Sequence, residues 1–455
     1  MRESRYNIWV ERSDKAYVYN GVSGAVLALP IVERHALARL LSGDPQSGCS
    51  VDLVRELTLG RMLIGDEVDE LELLAARYSY SRHDQSAFAL TILTSLGCNF
   101  DCPYCFEAKH PSILGPDVQQ AIIAVLDDQL PHINQFGVSW FGGEPLVGKR
   151  PLLELSDAFI GRCDAAGVAY EANITTNGSL LTASTCNELK DRRVTHAQVT
   201  LDGPPDIHDK MRPFAGGSTE GTFWRIVENL HHAVDVLDVT IRINVGNGSV
   251  GGLEDLLEIL SQEGFAGRLR LTLGHLVRVT DNPLAPSSEY EGCITHPQFA
   301  TTALGFDRLA DEYGFSSPSL PEPTGAPCTA VRANELIVGS EGELYKCYQS
   351  VGTPHEVIGH ISDYQATNGR LRRWLDYDPF RDEECRSCIA LPVCMGGCAH
   401  HALDLNLHEN RCIEFRYDYQ DRVAAFIDSA PARRRAPAVP VTLQPTSRNR
   451  NNVNA

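Results

Sequence analysis

The chain has 455 residues, 43% of them apolar, and its 40 Lys and Arg stand against 59 Asp and Glu for a formal net charge of −19. That length exceeds what one domain needs and the apolar content supports a sizeable core, while the charge sign argues against a nucleic-acid binder, which concentrates basic residues. No run approaches the roughly 18 apolar residues of a membrane span, and "MRESRYNIWVERSDK" lacks the apolar stretch of a secretory signal, so the expected setting is cytoplasmic, with no membrane and no nucleic-acid partner.

In chain order, residues 1–85 form a first unit. "YNIWV" and "KAYVY" alternate around a polar "ERSD", which predicts a hairpin. "PIVERHALARLLSG", "VDLVREL" and "GDEVDELELLAARY" then predict short amphipathic helices. A hairpin followed by small helices suits a winged-helix-like module, and equally a plain cap.

Residues 88–315 alternate strand and helix. The strands are "FALTILTSL", "FGVSWF", "YEANIT", "HAQVTL", "VTIRINV" and "LRLTLGHL", and the intervening helices include "DVQQAIIAVLDDQL", "LLELSDAFIGRCDAAG", "STCNELKDRR" and "TFWRIVENLHHAVDVL". Six such units imply an α/β fold, a parallel sheet covered by helices and either open or curled into a partial barrel. Ligands bind such sheets at the carboxyl ends of the strands. "CNFDCPYC" (98–105) directly follows the first strand and "GGEP" (142–145) the second, so both fall on that rim.

Residues 325–425 are cysteine-rich with short elements, among them a hairpin in "ELIVGSEGELYKC" that turns at Gly342. From 430 to 455 the apolar content is too low to fold, and disorder is expected.

Fourteen cysteines in a non-secreted chain are not a disulfide framework, because the cytosol keeps thiols reduced. They cluster instead: Cys98, Cys102 and Cys105 stand together and seven more lie between 328 and 412. Three thiolates at i, i+4 and i+7 wrap one face of a [4Fe–4S] cube and leave one iron open. The alternative is a three-thiolate zinc with water, for which the nearest histidine is His110.

This CxxxCxxC stretch, with Tyr104 before its last Cys, resembles the signature of the radical S-adenosylmethionine (radical SAM) enzymes. The resemblance implies that SAM chelates the open iron and that the reduced cluster cleaves it to methionine and a 5′-deoxyadenosyl radical, which takes a hydrogen from the substrate. "FGGEP" resembles the family's GGE motif, which implies that Gly142, Gly143 and Glu144 hold the SAM amino group. "VTLDGPPDIHDKMR" is similar to a stretch of the subfamily that includes anaerobic sulfatase maturases; it puts Thr200 at the SAM ribose and Arg212 near the SAM carboxylate. "ITTNG" ends the third strand, and distance along the chain places Leu273 against the adenine.

Cys328, Cys347, Cys385, Cys388, Cys394, Cys398 and Cys412 resemble the seven-cysteine SPASM domain, with a shorter last spacing. By that family's pairing Cys385, Cys388, Cys394 and Cys412 hold one auxiliary [4Fe–4S] cluster, and Cys328, Cys347 and Cys398 hold another, making three clusters in all. Seven is an awkward number for zinc tetrads. The second auxiliary cluster is one ligand short, so its last iron is open unless Cys293 in "EGCITHP" reaches it; an ordinary buried thiol is the alternative.

Sulfatase maturases of this group carry an Asp base after the second SPASM cysteine, where this chain has Tyr348, and a phenol near its ordinary pKa of about 10 is a poor base. That departure favours the relatives that modify ribosomally made peptides, with residues 1–85 as a module that pairs a leader peptide along a strand edge. A protein side chain or a small molecule are the alternative substrates. The resemblance also implies a low-potential electron donor such as ferredoxin or flavodoxin. His275 and Tyr348 are acid–base candidates by position.

Overall fold

The computed structural model describes residues 1–278, 285–316, 318–366 and 368–429. The expected disordered tail, 430–455, lies outside the described residues. The chain opens with β1 (Arg2–Glu3), β2 (Asn7–Arg12), β3 (Lys15–Asn20) and β4 (Val26–Pro30), then α1 (Ile31–Leu41), α2 (Val51–Leu59), β5 (Leu63–Ile64) and α3 (Glu70–Arg82). β2, β3 and β4 make an antiparallel sheet, and the two-residue β1 and β5 pair beside it. Sequence reading found β2 and β3 but not β4, a five-residue "VLALP" too short and too evenly apolar to show a period of two. Ser50 and Asp69 cap α2 and α3 through their side chains, which is why those helices begin where they do.

Six parallel strands follow: β6 (Ala87–Ser95), β7 (Gln135–Gly142), β8 (Ala169–Thr176), β9 (Val194–Thr200), β10 (Asp238–Val245) and β11 (Arg270–His275). Between them run α4 (Pro116–Gln129), α5 (Lys149–Ala166), α6 (Ala183–Asp191), α7 (Pro205–Met211), α8 (Phe223–Val236) and α9 (Leu253–Gln262). Their helix-facing side chains, such as Ile92, Trp140, Ile174, Val199, Ile241 and Ile243, are buried in one core with Leu155, Phe223 and Leu257 of the helices. The opposite face alternates with them and is polar at Thr91, Ser139, Asn173, Gln198 and Arg242. This is the α/β architecture of a partial (β/α)6 barrel, with a polar interior.

The cysteine-rich part is not a separate body. β12 (Glu335–Val338) pairs in parallel with β6, and β13 (Glu343–Tyr345) and β14 (Gly359–His360) continue antiparallel, giving a nine-stranded sheet in the order β11-β10-β9-β8-β7-β6-β12-β13-β14. Helix α10 (His296–Glu312), started by a Thr295–Gln298 capping box, is joined to the C-terminal helix Phe415–Asp428 by Arg422, which reaches Asp307 at 2.8 Å and Asp418 at 2.7 Å. That C-terminal helix also packs Phe415, Val423 and Ile427 on Ile8, Val10 and Tyr19 of the N-terminal sheet, so first and last elements share a core.

Candidate active site

The cysteine loop is docked by Gly142, the last residue of β7, and Gly143 after it. The Gly143 N–H donates to the Ser95 carbonyl (3.1 Å) and the Glu144 N–H to the Gly97 carbonyl (3.0 Å). Gly142 sits at φ +135°, and a Cβ there would meet the Ser95 carbonyl oxygen at 2.2 Å; one on Gly143 would meet the Gly97 oxygen at 2.7 Å. Only glycine permits both approaches. The glycine pair thus brings the GGE segment against the cysteine loop itself, a contact the motif alone did not indicate.

Glu144 is fully buried, and its carboxylate accepts from the Leu146 N–H (3.0 Å), the Thr176 hydroxyl (2.8 Å) and the Asn177 N–H (2.7 Å). Burial pushes this carboxyl upward and the three donors oppose it. Asn177 in turn donates to Asn99 (2.8 Å) and lies 4.0 Å from the Cys98 sulfur, so the end of β8 is tied to the cysteine loop.

Across the barrel the Tyr104 hydroxyl donates to the Asp202 carboxylate in a short bond and accepts from Arg212 (2.6 Å) and Asn244 (3.3 Å). Asp202 also accepts the Asn244 N–H (2.9 Å), and its own N–H donates to His208 (3.1 Å). Tyr104 from the cysteine loop is thereby locked to the ends of β9 and β10. Thr200 lies on the polar inner face, paired with Arg242. Sequence reading missed Asp202, Asn244 and Arg242 as site residues. The signal was present: Arg242 and Asn244 are polar at a spacing of two inside the apolar "VTIRINV".

Leu273 is a correction. It pairs with Ile243 and packs in the helix-side core, on the face opposite Thr200 and Asn244. Distance along the chain selected it without regard to strand parity. Leu276, just past β11, is buried and lies against Gly246 after β10.

His275 shares the outer face of Leu273. Its ring stacks on Phe299 (4.5 Å, 6°), its Nε2 bonds the Ile294 carbonyl (2.7 Å), and burial lowers it to about 4. Burial holds the ring neutral, and the Phe299 stack and the Ile294 carbonyl engage it in packing. A lowered histidine contributes stability that is present above its unfolded pKa of about 6.5 and lost as pH falls toward 4. His275→Phe, which keeps the stack, is expected to flatten that acid slope in urea unfolding and to cost about 1 kcal/mol at pH 8 for the lost hydrogen bond; an unchanged slope would refute this.

Tyr348 is at the seam with β12: its hydroxyl bonds Thr91 (3.1 Å), its ring meets Phe141 edge-on at 4.9 Å, and burial pushes the phenol up to about 12. It is therefore neutral at physiological pH and no base. Cys293 lies near Tyr290 and Arg278 on a segment whose Ser287 N–H donates to the Cys105 carbonyl (2.9 Å). The Cys293 carbonyl accepts from the Asn247 side chain (3.3 Å), which ties it to the turn after β10.

Farther along, Cys385, Cys388, Cys394 and Cys412 line one small cavity with Ala390, and the Arg416 guanidinium donates to the Cys412 sulfur at 2.9 Å. Cys328, Cys347 and Cys398 form a separate, partly buried group, in which burial first and the neighbouring thiols second push Cys328 and Cys347 upward. The residues fit iron–sulfur clusters better than single ions. A zinc held at about 2.3 Å brings its thiolates within about 4 Å of each other, yet among the described residues the only trio with ligand atoms all within 4.8 Å is Asp382, Glu384 and His408. Two of that trio are engaged by Arg411. Burial pushes Cys98 up to about 11 and Cys105 up to about 12, so these sulfurs are thiols in the metal-free chain and give up protons on ligation.

Residues 92–260 match the family model of the radical SAM superfamily. The chain carries a radical SAM domain and is an enzyme of that class, which implies a [4Fe–4S] cluster and SAM. Among curated relatives it is 21% identical to the serine-type anaerobic sulfatase-maturating enzyme of Klebsiella aerogenes, covering 67% of this chain and 77% of that one. It is 24% identical to the PqqA peptide cyclase of Ruegeria pomeroyi, covering 68% and 81%. Among solved structures, native anSMEcpe with bound AdoMet and Cp18Cys peptide superposes with a TM-score of 0.56 at 19% identity, covering 75% of this chain and 99% of that one. Streptococcus suis SuiB bound to the precursor peptide SuiA superposes at 0.53 and 14% identity, covering 90% and 99%. At such identities these structures establish a shared fold.

Proposed function

We propose that this enzyme modifies a ribosomally made peptide by a cross-link or a related oxidative change. In this reading Cys98, Cys102 and Cys105 hold the cluster that binds SAM, and Glu144, Thr200, Arg212 and Leu276 surround SAM. The set Cys385, Cys388, Cys394 and Cys412 holds one auxiliary cluster, and Cys328, Cys347 and Cys398 hold a second. The bound cluster and SAM supply one-electron hydrogen abstraction. The chain's own residues orient it: Glu144 and the glycines fix the cysteine loop, Tyr104, Asp202 and Arg212 fix its far side, and the polar inner face receives the substrate. Electrons come from a low-potential donor of the ferredoxin or flavodoxin type. Among the described residues no helix is long and apolar enough to cross a membrane, and the proposed setting is cytoplasmic.

The observation that carries the peptide reading is the edge of β4. The Asn20 N–H donates to the Ala25 carbonyl and the Ile31 N–H to the Asp14 carbonyl, which sets the phase of pairing with β3. Alternation then turns the backbone groups of Val26 and Ala28 outward, with no backbone partner among the described residues. This edge carries no charged residue, and Pro30, which does blunt pairing, stands at its last position. The edge is a template for one more strand. Two observations sit beside it: the solved relatives above were bound to peptides, and the neutral Tyr348 replaces the acidic base of sulfatase maturation.

The test is the mass of a short peptide encoded beside the gene, co-expressed anaerobically with the enzyme. The expected result is a loss of two hydrogens that is absent with Cys102→Ala. An unchanged mass while SAM is still cleaved would leave epimerisation, which conserves mass, or a different substrate, and would bring the small-molecule reading level. Ala28→Pro removes an outward N–H and no ladder bond, and is expected to lower the yield of modified peptide at least about tenfold, with iron content reporting that the barrel is intact; wild-type yield would remove the β4 edge from the proposal.

A further inference from the structure

Arg242 is not accounted for by the site as described. Its Cα pairs with Thr200 on one side and Thr272 on the other, so it stands on the inner face of the barrel, where Ile241 and Ile243 on either side of it point into the helix-side core. Its Nε donates to the Asn244 side-chain oxygen at 2.9 Å, which aims the fork. Among the described residues neither terminal nitrogen has a hydrogen-bond partner and no carboxylate lies within salt-bridge distance. Asp202 and Tyr104 influence it only at longer range.

The neighbouring strand makes room for this fork. A Cβ on Gly274 would meet the Arg242 Nη2 at 2.5 Å, its Nε at 2.6 Å and the Asn244 oxygen at 2.6 Å. Arg212 is differently placed: its Nη1 is taken by Tyr104, its Nε is buried without a partner, and Asp202 lies 3.9 Å away. The barrel thus holds one guanidinium built into the Tyr104–Asp202 unit and a second whose two fork ends have no partner among the described residues. An uncompensated cation in a protein interior is costly unless an anion joins it in the working state, and a planar fork suits a carboxylate taken in two parallel hydrogen bonds.

We propose that Arg242 is a carboxylate-binding residue for the substrate, and that the bound group is an Asp or Glu side chain or the C-terminal carboxylate of the peptide. This rests on the peptide reading above, yet its chemistry is tested without any peptide. The other source of a carboxylate is SAM itself, and the arms of the test separate the two.

The full-length enzyme, anaerobically reconstituted, is treated with phenylglyoxal and the labelling of Arg242 is followed by mass spectrometry. The probes are SAM, N-acetyl-L-glutamate and N-acetyl-L-glutamine. Arg242 is expected to react with and without saturating SAM, to be protected about tenfold and saturably by N-acetyl-L-glutamate, and not to be protected by the amide. Protection by SAM alone would assign the fork to the cofactor's carboxylate and overturn the substrate role. Failure of N-acetyl-L-glutamate to protect, or an Arg242 that never reacts, would overturn the site altogether. Gly274→Ala, confirmed intact by iron content, is expected to abolish protection while Arg242 still labels; wild-type protection in that variant would refute the argument from room. Should no peptide prove to be modified while N-acetyl-L-glutamate still protects, the acid-binding site would stand and the peptide reading would fall.

Discussion

Replacing Gly142 by alanine is expected to detach the cysteine loop from the barrel. The residue sits at φ +135°, a region open to glycine and strained for any L side chain, and the new Cβ would press on the Ser95 carbonyl oxygen from 2.2 Å. That atom belongs to the backbone of β6, which has no freedom to retreat while it pairs with β7. Backbone strain and overlap together are expected to cost about 3 kcal/mol or more. Urea unfolding of the metal-free chain would show this as an earlier midpoint, and the reconstituted protein would lose the iron bound through Cys98, Cys102 and Cys105. Gly161 gives the opposite control. It lies within α5 with no atom inside 4 Å of its would-be Cβ, so Gly161→Ala is expected to stabilise the chain by about 0.5–1 kcal/mol. A Gly142→Ala protein as stable as Gly161→Ala would show that the glycine pair does not anchor the loop.

Iron analysis carries the second large effect. With three [4Fe–4S] clusters the wild-type chain is expected to bind about twelve irons. Cys388→Ala opens the four-thiol cavity and is expected to lower this to about eight. Cys98→Ala is also expected to fall to about eight, but with loss of 5′-deoxyadenosine formation from SAM. A thiol removed from one group leaves the other two intact because they lie on different loops: Cys98 after β6, Cys388 on the turn before Ala390, Cys347 after β13. A wild-type chain with about four irons would remove both auxiliary clusters. Iron at about twelve with wild-type SAM cleavage in the Cys98 variant would remove the assignment of the first.

Much of the barrel was legible in the sequence. The strands read from "FGVSWF", "YEANIT" and "VTIRINV" lie within β7, β8 and β10, because each is a compact run of β-formers bounded by turn or helix signals. The cysteine trio and the glycines stood at strand ends, so the rim followed from chain order. Short elements were less legible. β4 carries five residues and pairs only because β3 is already in place beside it. The extension of the barrel sheet through β12 had no local signal, since its pairing with β6 joins Glu335 to Ala89 across 246 residues of chain.

Face and grouping were decided by tertiary structure. Leu273 and His275 stand at the expected height on β11 but on its outer face, and Arg242, unremarked in the sequence, stands on the inner one. Period two says only that neighbours oppose each other; which set is inside depends on where α8 and α9 bury Ile241 and Ile243. Cys293 likewise reads as a spare thiol, and only the tertiary structure ties its segment to the Cys105 carbonyl through Ser287 and to Asn247 after β10. What the sequence determined by itself was the chemistry that short spacing encodes: three thiols in one loop, two glycines and a glutamate after a strand, seven thiols near the end. What the fold decided was which side chains meet across the barrel, because those contacts join strands whose order in space is set by the burial of the helices and not by nearness along the chain.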